Sequence, residues 1–186
     1  MKSIQIFVFA IIATMLSISS CTVDEPEIPN DEEVITTLRY ILTPVNGSDA
    51  IVFEFQDLDG DGGDAPIITT DTLAANTAYT GTLELLNESV SPPEDITTEI
   101  KTEKEEHQFF YSTTATDLTI GYTDFDADGK PVGLETAVNT SAVANGTLTI
   151  ILRHEPDKLG DNVINGDITN AGGETDIEVT FDVTIQ

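Results

Sequence analysis

The stretch Asp176-Ile177-Glu178-Val179-Thr180-Phe181-Asp182-Val183-Thr184-Ile185 decides the fold class. Ile177, Val179, Phe181, Val183 and Ile185 take every second position, with Glu178, Thr180, Asp182 and Thr184 between them. Successive side chains of a strand point to opposite faces, so this pattern gives one apolar face for a core and one polar face for water. Antiparallel sheets with one solvated side read in this way.

Earlier runs have the same chemistry. Residues 34–42 are rich in β-branched and aromatic side chains, and residues 50–56 alternate Ile51, Phe53 and Phe55 against Val52 and Glu54. Residues 79–86, 108–112, 118–123, 134–139 and 147–153 add further strands between turn-forming segments. The expectation is an all-β fold, an immunoglobulin-like antiparallel β-sandwich of about eight strands with one short crossover helix. That helix is expected over 94–106, where Ser91-Pro92-Pro93 precedes acids in the first turn. No repeat of solenoid length is present.

The chain carries 34 acidic and 7 basic residues, a formal charge of −27. Such a surface repels phosphate backbones and anionic headgroups, which excludes nucleic acid as a partner and makes divalent cations the natural ones. The apolar residues recur in alternating patterns, so this is a folded acidic domain and not a disordered acidic tail. Residues 34–186 have the size of one domain, enough to bury roughly two thirds of the unfolded surface.

At the N-terminus, Lys2 precedes an apolar run from Ile4 to Ile18, and Ser19 and Ser20 lead into Cys21. A positive flank, a run shorter than a spanning helix needs and small residues before a cysteine predict a lipoprotein signal peptide over 1–20. Cys21 is the sole cysteine and makes no intramolecular disulfide, so lipidation gives it a role. The membrane is then a partner through lipid on Cys21, and several acyl chains suffice for stable anchoring. Loss of Lys2 leaves 6 basic against 34 acidic residues, a charge of −28. Residues 21–33 are expected as the lipidated cysteine and an acidic tether, stiffened by Pro26 and Pro29 and extended by Asp24, Glu25, Glu27, Asp31, Glu32 and Glu33. The domain follows over 34–186.

Two aspartate loops carry the strongest chemical signal. Asp124-Phe125-Asp126-Ala127-Asp128-Gly129-Lys130-Pro131-Val132-Gly133-Leu134-Glu135 fits a twelve-residue calcium loop. Asp124, Asp126 and Asp128 would converge their oxygens, Gly129 would allow the sharp turn, Lys130 would offer its carbonyl, and Glu135 would close the site. Strands flank the loop and Pro131 stands where an EF-hand enters its second helix, so an interstrand loop is expected; the alternative is a polar turn. Asp57-Leu58-Asp59-Gly60-Asp61-Gly62-Gly63-Asp64 repeats the aspartate spacing with Ile68 at position twelve, and Asp57, Asp59, Asp61 and Asp64 crowd together as if around a cation. Residues 161–167, with Asp161, Asn162, Asn165 and Asp167 at irregular spacing, are expected as a plain loop.

Calcium is thus the first cofactor expected and zinc the alternative. His107 follows Glu105-Glu106 and His154 precedes Glu155. Imidazole nitrogens with carboxylate oxygens suit zinc, provided His107 and His154 meet in space. No spaced histidine pair, nucleophile elbow or phosphate loop is present, and no enzyme is expected. Sugar binding lacks tryptophan platforms, which leaves Tyr111, Tyr122 and Phe125 as the exposed aromatic candidates.

Residues 33–38, 57–62, 94–99, 106–108, 152–156 and 166–176 carry a nearly end-to-end resemblance. Among them are Glu106-His107-Gln108, Leu152-Arg153-His154-Glu155-Pro156 and Gly172-Gly173-Glu174-Thr175-Asp176. The chain is similar to small Bacteroidota-type lipoproteins often labelled "type 1 periplasmic binding fold superfamily protein". That family lends no activity, and the label's two α/β lobes do not fit a short strand-rich chain, so no ligand is carried over. In lipoproteins of this type an acidic patch after the lipidated cysteine directs export; the resemblance implies this role for Asp24 and Glu25 and places the chain on the outer membrane, facing the exterior. Asp71-Thr72-Leu73 resembles the O-glycosylation motif of the same group, which implies a glycan carrier. The expected function is a lipid-anchored, calcium-binding β-sandwich for binding or display. The alternative is an accessory lipoprotein that captures zinc or another small ligand for an outer-membrane transporter.

Overall fold

Alternation of apolar and polar side chains sets the architecture strand by strand. The computed structural model describes residues 33–47, 49–60 and 62–186; Cys21, the signal segment and the tether up to residue 32 lie outside the described residues. The described chain forms β1 (Thr37–Pro44), β2 (Ile51–Gln56), β3 (Ile67–Thr70), β4 (Ala78–Asn87), β5 (Glu94–Asp95), α1 (Ile96–Thr102), β6 (His107–Thr113), β7 (Leu118–Tyr122), β8 (Glu135–Thr140), β9 (Ala144–His154) and β10 (Glu174–Ile185). All strand pairs are antiparallel. The larger sheet runs β3-β2-β1-β4-β8-β7 with β5 beside the end of β4, and the smaller runs β10-β9-β6. The fold is an all-β sandwich.

Every second residue faces the interior. Leu38, Tyr40 and Leu42 of β1, Leu83 and Leu85 of β4, and Val138 of β8 are buried from the larger sheet. Leu148, Ile150 and Leu152 of β9 and Val179, Phe181, Val183 and Ile185 of β10 are buried from the smaller one. Aromatic rings bridge the two: Phe53 meets Phe181 and Tyr40 meets Tyr111, each pair with centroids 5.7 Å apart. Offset and tilted ring pairs of this kind add to the area they bury.

The eight expected strands are present, with ends moved by a few residues. Two more join them. β3 is a four-residue edge strand exposed along its whole length, so it has no buried alternation to read. β5 is two residues that the sequence reading assigns to the helix. The helix covers Ile96–Thr102 and not 94–106: Asp95 caps it by accepting the Thr98 N–H at 3.1 Å, and after Glu103 the chain leaves the helix in a turn that delivers His107 into β6. α1 buries Ile96, Thr97 and Ile100, and the Thr97 hydroxyl bonds the Leu85 backbone on β4. The chain thus passes from the larger sheet to the smaller one through the helix.

Residues 156–173 lie over the outer face of the smaller sheet. There Val163 and Ala171 pack on Phe110 with Ile151 and Ile168, which buries the first four residues of β6 on both sides. Phe181 lies between the sheets with no exposed surface. Its replacement by alanine should cost about 3–5 kcal/mol by transfer and cavity terms, measured as a lowered midpoint in chemical denaturation with an unchanged slope.

Candidate metal centre

The β6–β9 ladder puts the two histidines face to face. His107 opens β6 and His154 closes β9, and the antiparallel register pairs them directly, in phase with the inward pair Phe109 and Leu152. Their rings stack with centroids 4.6 Å apart and planes 25° apart. The condition set for a zinc site, that the histidines meet, is fulfilled.

Two carboxylates complete the group. β10 shifts register between Thr175 and Ile177, so Asp176 is the extra residue of a β-bulge. A bulge re-aims a side chain, and here it sets Asp176 Oδ1 3.8 Å from His154 Nδ1. Glu33 arrives from the segment ahead of β1. Its Oε1 lies 2.7 Å from His107 Nε2, and its Oε2 lies 3.9 Å from His154 Nδ1. One ligand atom from each of Glu33, His107, His154 and Asp176 lies within 4.8 Å of all the others. None of these side chains is more than 6% exposed.

Proton placement makes the group unusual. His107 Nδ1 donates to the Glu103 carbonyl at 3.1 Å, at the end of α1. A carbonyl only accepts, so Nδ1 holds the ring proton and neutral His107 presents a lone pair from Nε2 to the Glu33 carboxylate. Two lone pairs at that distance need a cation between them, either a second proton or a metal ion. An imidazole held through its far nitrogen by a carbonyl is the usual outer-shell arrangement of a metal ligand. Neither Glu33 Oε2 nor His107 Nε2 completes a hydrogen bond of good geometry.

The surroundings are acidic. Burial raises the Glu99 carboxyl, and Glu103, Glu33 and Glu94 raise it further. Burial lowers the His107 imidazole, but Glu33 and the Glu103 carbonyl outweigh it and the net shift is upward from 6.5. Burial likewise raises Glu33, yet pairing with His107 outweighs it and the net shift is downward from 4.5. Gly173 shapes the rim: at φ +70 it turns the chain against the end of β9, where a Cβ would run into the His154 carbonyl.

In the two expected calcium loops, the described carboxylates accept backbone N–H groups. Asp124 Oδ1 and Oδ2 accept the N–H groups of Gly133 and Leu134, and this holds residues 131–134 in place. From there Val132 O accepts from Phe109 and Leu134 O from Leu83, which links the two sheets. Asp126 Oδ1 accepts from Asp128 N and Lys130 N, while its Oδ2 accepts from the Lys158 ammonium at 3.0 Å. A lysine thus stands at Asp126 as its cation. Gly129 turns with φ +73, as a sharp turn requires. Asp128 and Glu135 are exposed. In the other loop Asp57 Oδ1 accepts from Gly60 N and Asp59 Oδ2 from Asp64 N; Asp61 lies outside the described residues. Among the described residues, neither loop brings three ligand side chains together, whereas the histidine group brings four. In residues 161–167, Asp167 caps a short 3₁₀ turn through Thr169 N. Tyr111 and Tyr122, expected to be exposed, are half-buried, with hydroxyls that donate to Gly133 O and Phe109 O; Phe125 remains exposed.

No family model, curated protein or solved structure matches this chain.

The sequence gives no site signal at Glu33 and Asp176, because one lies in the acidic stretch of residues 21–33 and the other falls on the solvent side of the strict alternation. One signal was available: His107 and His154 flank the ends of two expected strands, and antiparallel pairing sets them opposite each other.

The shifts carry a pH signature for chelator-stripped protein. A raised His107 pKa contributes stability that is complete below about pH 6.5 and lost as pH rises through the folded value; the lowered Glu33 pKa contributes stability present above about pH 4.5 and lost as pH falls through its folded value. NMR titration should find His107 above its ordinary value in the wild type and lower in Glu33→Gln, where burial is less opposed. Separately, Lys158→Met leaves the buried Asp126 carboxylate without its ammonium and should cost about 1–3 kcal/mol in denaturation, partly recovered by adding Asp126→Asn.

Proposed function

We propose that this chain is a lipid-anchored envelope protein, held at the outer membrane through Cys21 and facing the exterior, whose sandwich binds a divalent transition metal of the zinc class at Glu33, His107, His154 and Asp176. The convergence of two imidazoles and two carboxylates from four separate segments carries the proposal. Two nitrogens and two oxygens form a borderline shell that suits zinc better than calcium, which takes six to eight oxygens. Tetrahedral bonds to zinc put ligand atoms roughly 3.4 Å apart, so side chains now spread over up to 4.8 Å would draw in modestly around an ion.

Four protein ligands in a buried group leave no open position for substrate. That favours capture or stabilisation over catalysis. A formal charge of −27 raises the local concentration of cations over the whole surface and would feed such a site. Handing the ion to an outer-membrane transporter is the role that fits capture on a surface lipoprotein. Calcium at Asp124, Asp126, Asp128, Lys130 and Glu135 has less support, because Lys158 already supplies Asp126 with positive charge.

Zinc and calcium titrated in parallel into the chelator-stripped full chain, purified in detergent, test this directly. Zinc should bind at one site, with heat lost in His107→Ala and in His154→Ala, and its apparent affinity should fall from pH 7 to pH 5 as protons compete for the imidazoles. Saturable calcium binding lost in Asp126→Ala and Asp128→Ala, without zinc binding, would move the metal to the aspartate loop. Binding of neither would sink both assignments.

A further inference from the structure

An ion needs a route to the histidine group, because all four side chains there are nearly shut off from solvent. Three of the four are held by the strand ladder. His107 and His154 are register partners, and Asp176 sits in the bulge of β10 between residues paired to Arg153 and Leu152. Displacing the backbone at any of them means breaking hydrogen bonds of the ladder at that residue or its neighbours.

Glu33 is placed otherwise. The chain is pinned to the larger sheet at Thr36, whose N–H donates to Leu86 O at 3.0 Å and whose carbonyl accepts from Asp57 N at 2.8 Å. Between Thr36 and Glu33 lie only Ile35, partly packed on the core, and Val34, 59% exposed. Rotation about these two residues moves the Glu33 carboxylate by several ångströms and leaves every strand in place. Glu33 is also the ligand whose carboxylate reaches both imidazoles, through Oε1 to His107 and Oε2 to His154.

We infer that Glu33 is a strap over the metal centre: it swings out to admit the ion onto His107, His154 and Asp176, then returns as the closing ligand and fastens the chain ahead of β1 to the ends of β6, β9 and β10. The inference rests on the metal assignment above and adds to it the order of assembly and a mechanical consequence. Coupling of this kind is reciprocal, so the ion holds the strap as firmly as the strap holds the ion.

The test uses the full chain in detergent, stripped and reloaded with zinc, and follows zinc release into excess chelator for wild type, Glu33→Ala and Glu33→Gln. Amide exchange at residues 34–37 is measured with and without zinc, and circular dichroism checks that the variants keep their strands. Both variants should still bind zinc through the three strand ligands but release it about tenfold faster or more, since even outer-shell changes weaken metal binding by 10–100-fold. Zinc should slow exchange at 34–37 in the wild type and not in the variants. Release at the wild-type rate with unchanged exchange overturns the strap and leaves the metal centre standing, provided that His107→Ala and His154→Ala still lose zinc. Variants that take up no zinc also overturn it, because the three strand ligands would then be no landing site. A wild type that binds no zinc overturns strap and centre together.

Discussion

Two carboxylates buried beside two imidazoles are tolerable only with positive charge among them. A lone buried charge costs several kcal/mol, and two of the same sign cost more. Much of the smaller sheet is arranged around this need. The β6–β9 register stacks the imidazoles, the β10 bulge turns Asp176 inward, and the end of α1 offers a carbonyl that fixes the His107 proton on the far side of its ring. Each of these features is local. Their joint effect is a pocket of ligands that a proton or a metal ion can complete, at the end of a largely apolar core.

Six aspartates elsewhere follow a different rule. Asp57, Asp59, Asp95, Asp124, Asp126 and Asp167 spend their oxygens on backbone N–H groups of turns, caps and crossovers. Short acidic side chains suit such work because they reach backbone two to five residues on, and Asp124 reaches nine and ten residues on across its loop. Asp124 holds the segment that links the sheets, and Asp126 takes one of the few lysines in the chain. Abundant aspartates by themselves therefore do not identify a cation site. Its aspartates can be structural one at a time, whereas a site for an ion needs several to be aimed at a single point.

Most of the fold was legible because alternation is a property of neighbours in sequence. The run from Ile177 to Ile185 announces its buried face without reference to any other strand, and so do Leu38, Tyr40 and Leu42 or Leu148, Ile150 and Leu152. β3 escaped notice because an exposed edge strand has no buried face to alternate, and β5 because two residues carry no period. The helix was read too long because acids continue past Thr102 in a favourable helical composition, while the demand that His107 enter β6 ends it earlier.

The histidine group stands on the other side of that line. The sequence by itself determined an acidic, strand-built chain with a single cysteine set behind an apolar run, and it supplied two histidines that could matter only if they met. Tertiary structure alone decided that they meet, that a bulge turns Asp176 against its strand's alternation, and that Glu33 closes over both rings from the opposite sheet's leading segment. The reason is physical. Periodicity records which face of its own element a side chain takes, but a centre made from four segments depends on register between strands distant in sequence, and one unpaired residue in a ladder reverses the face of the side chain it carries.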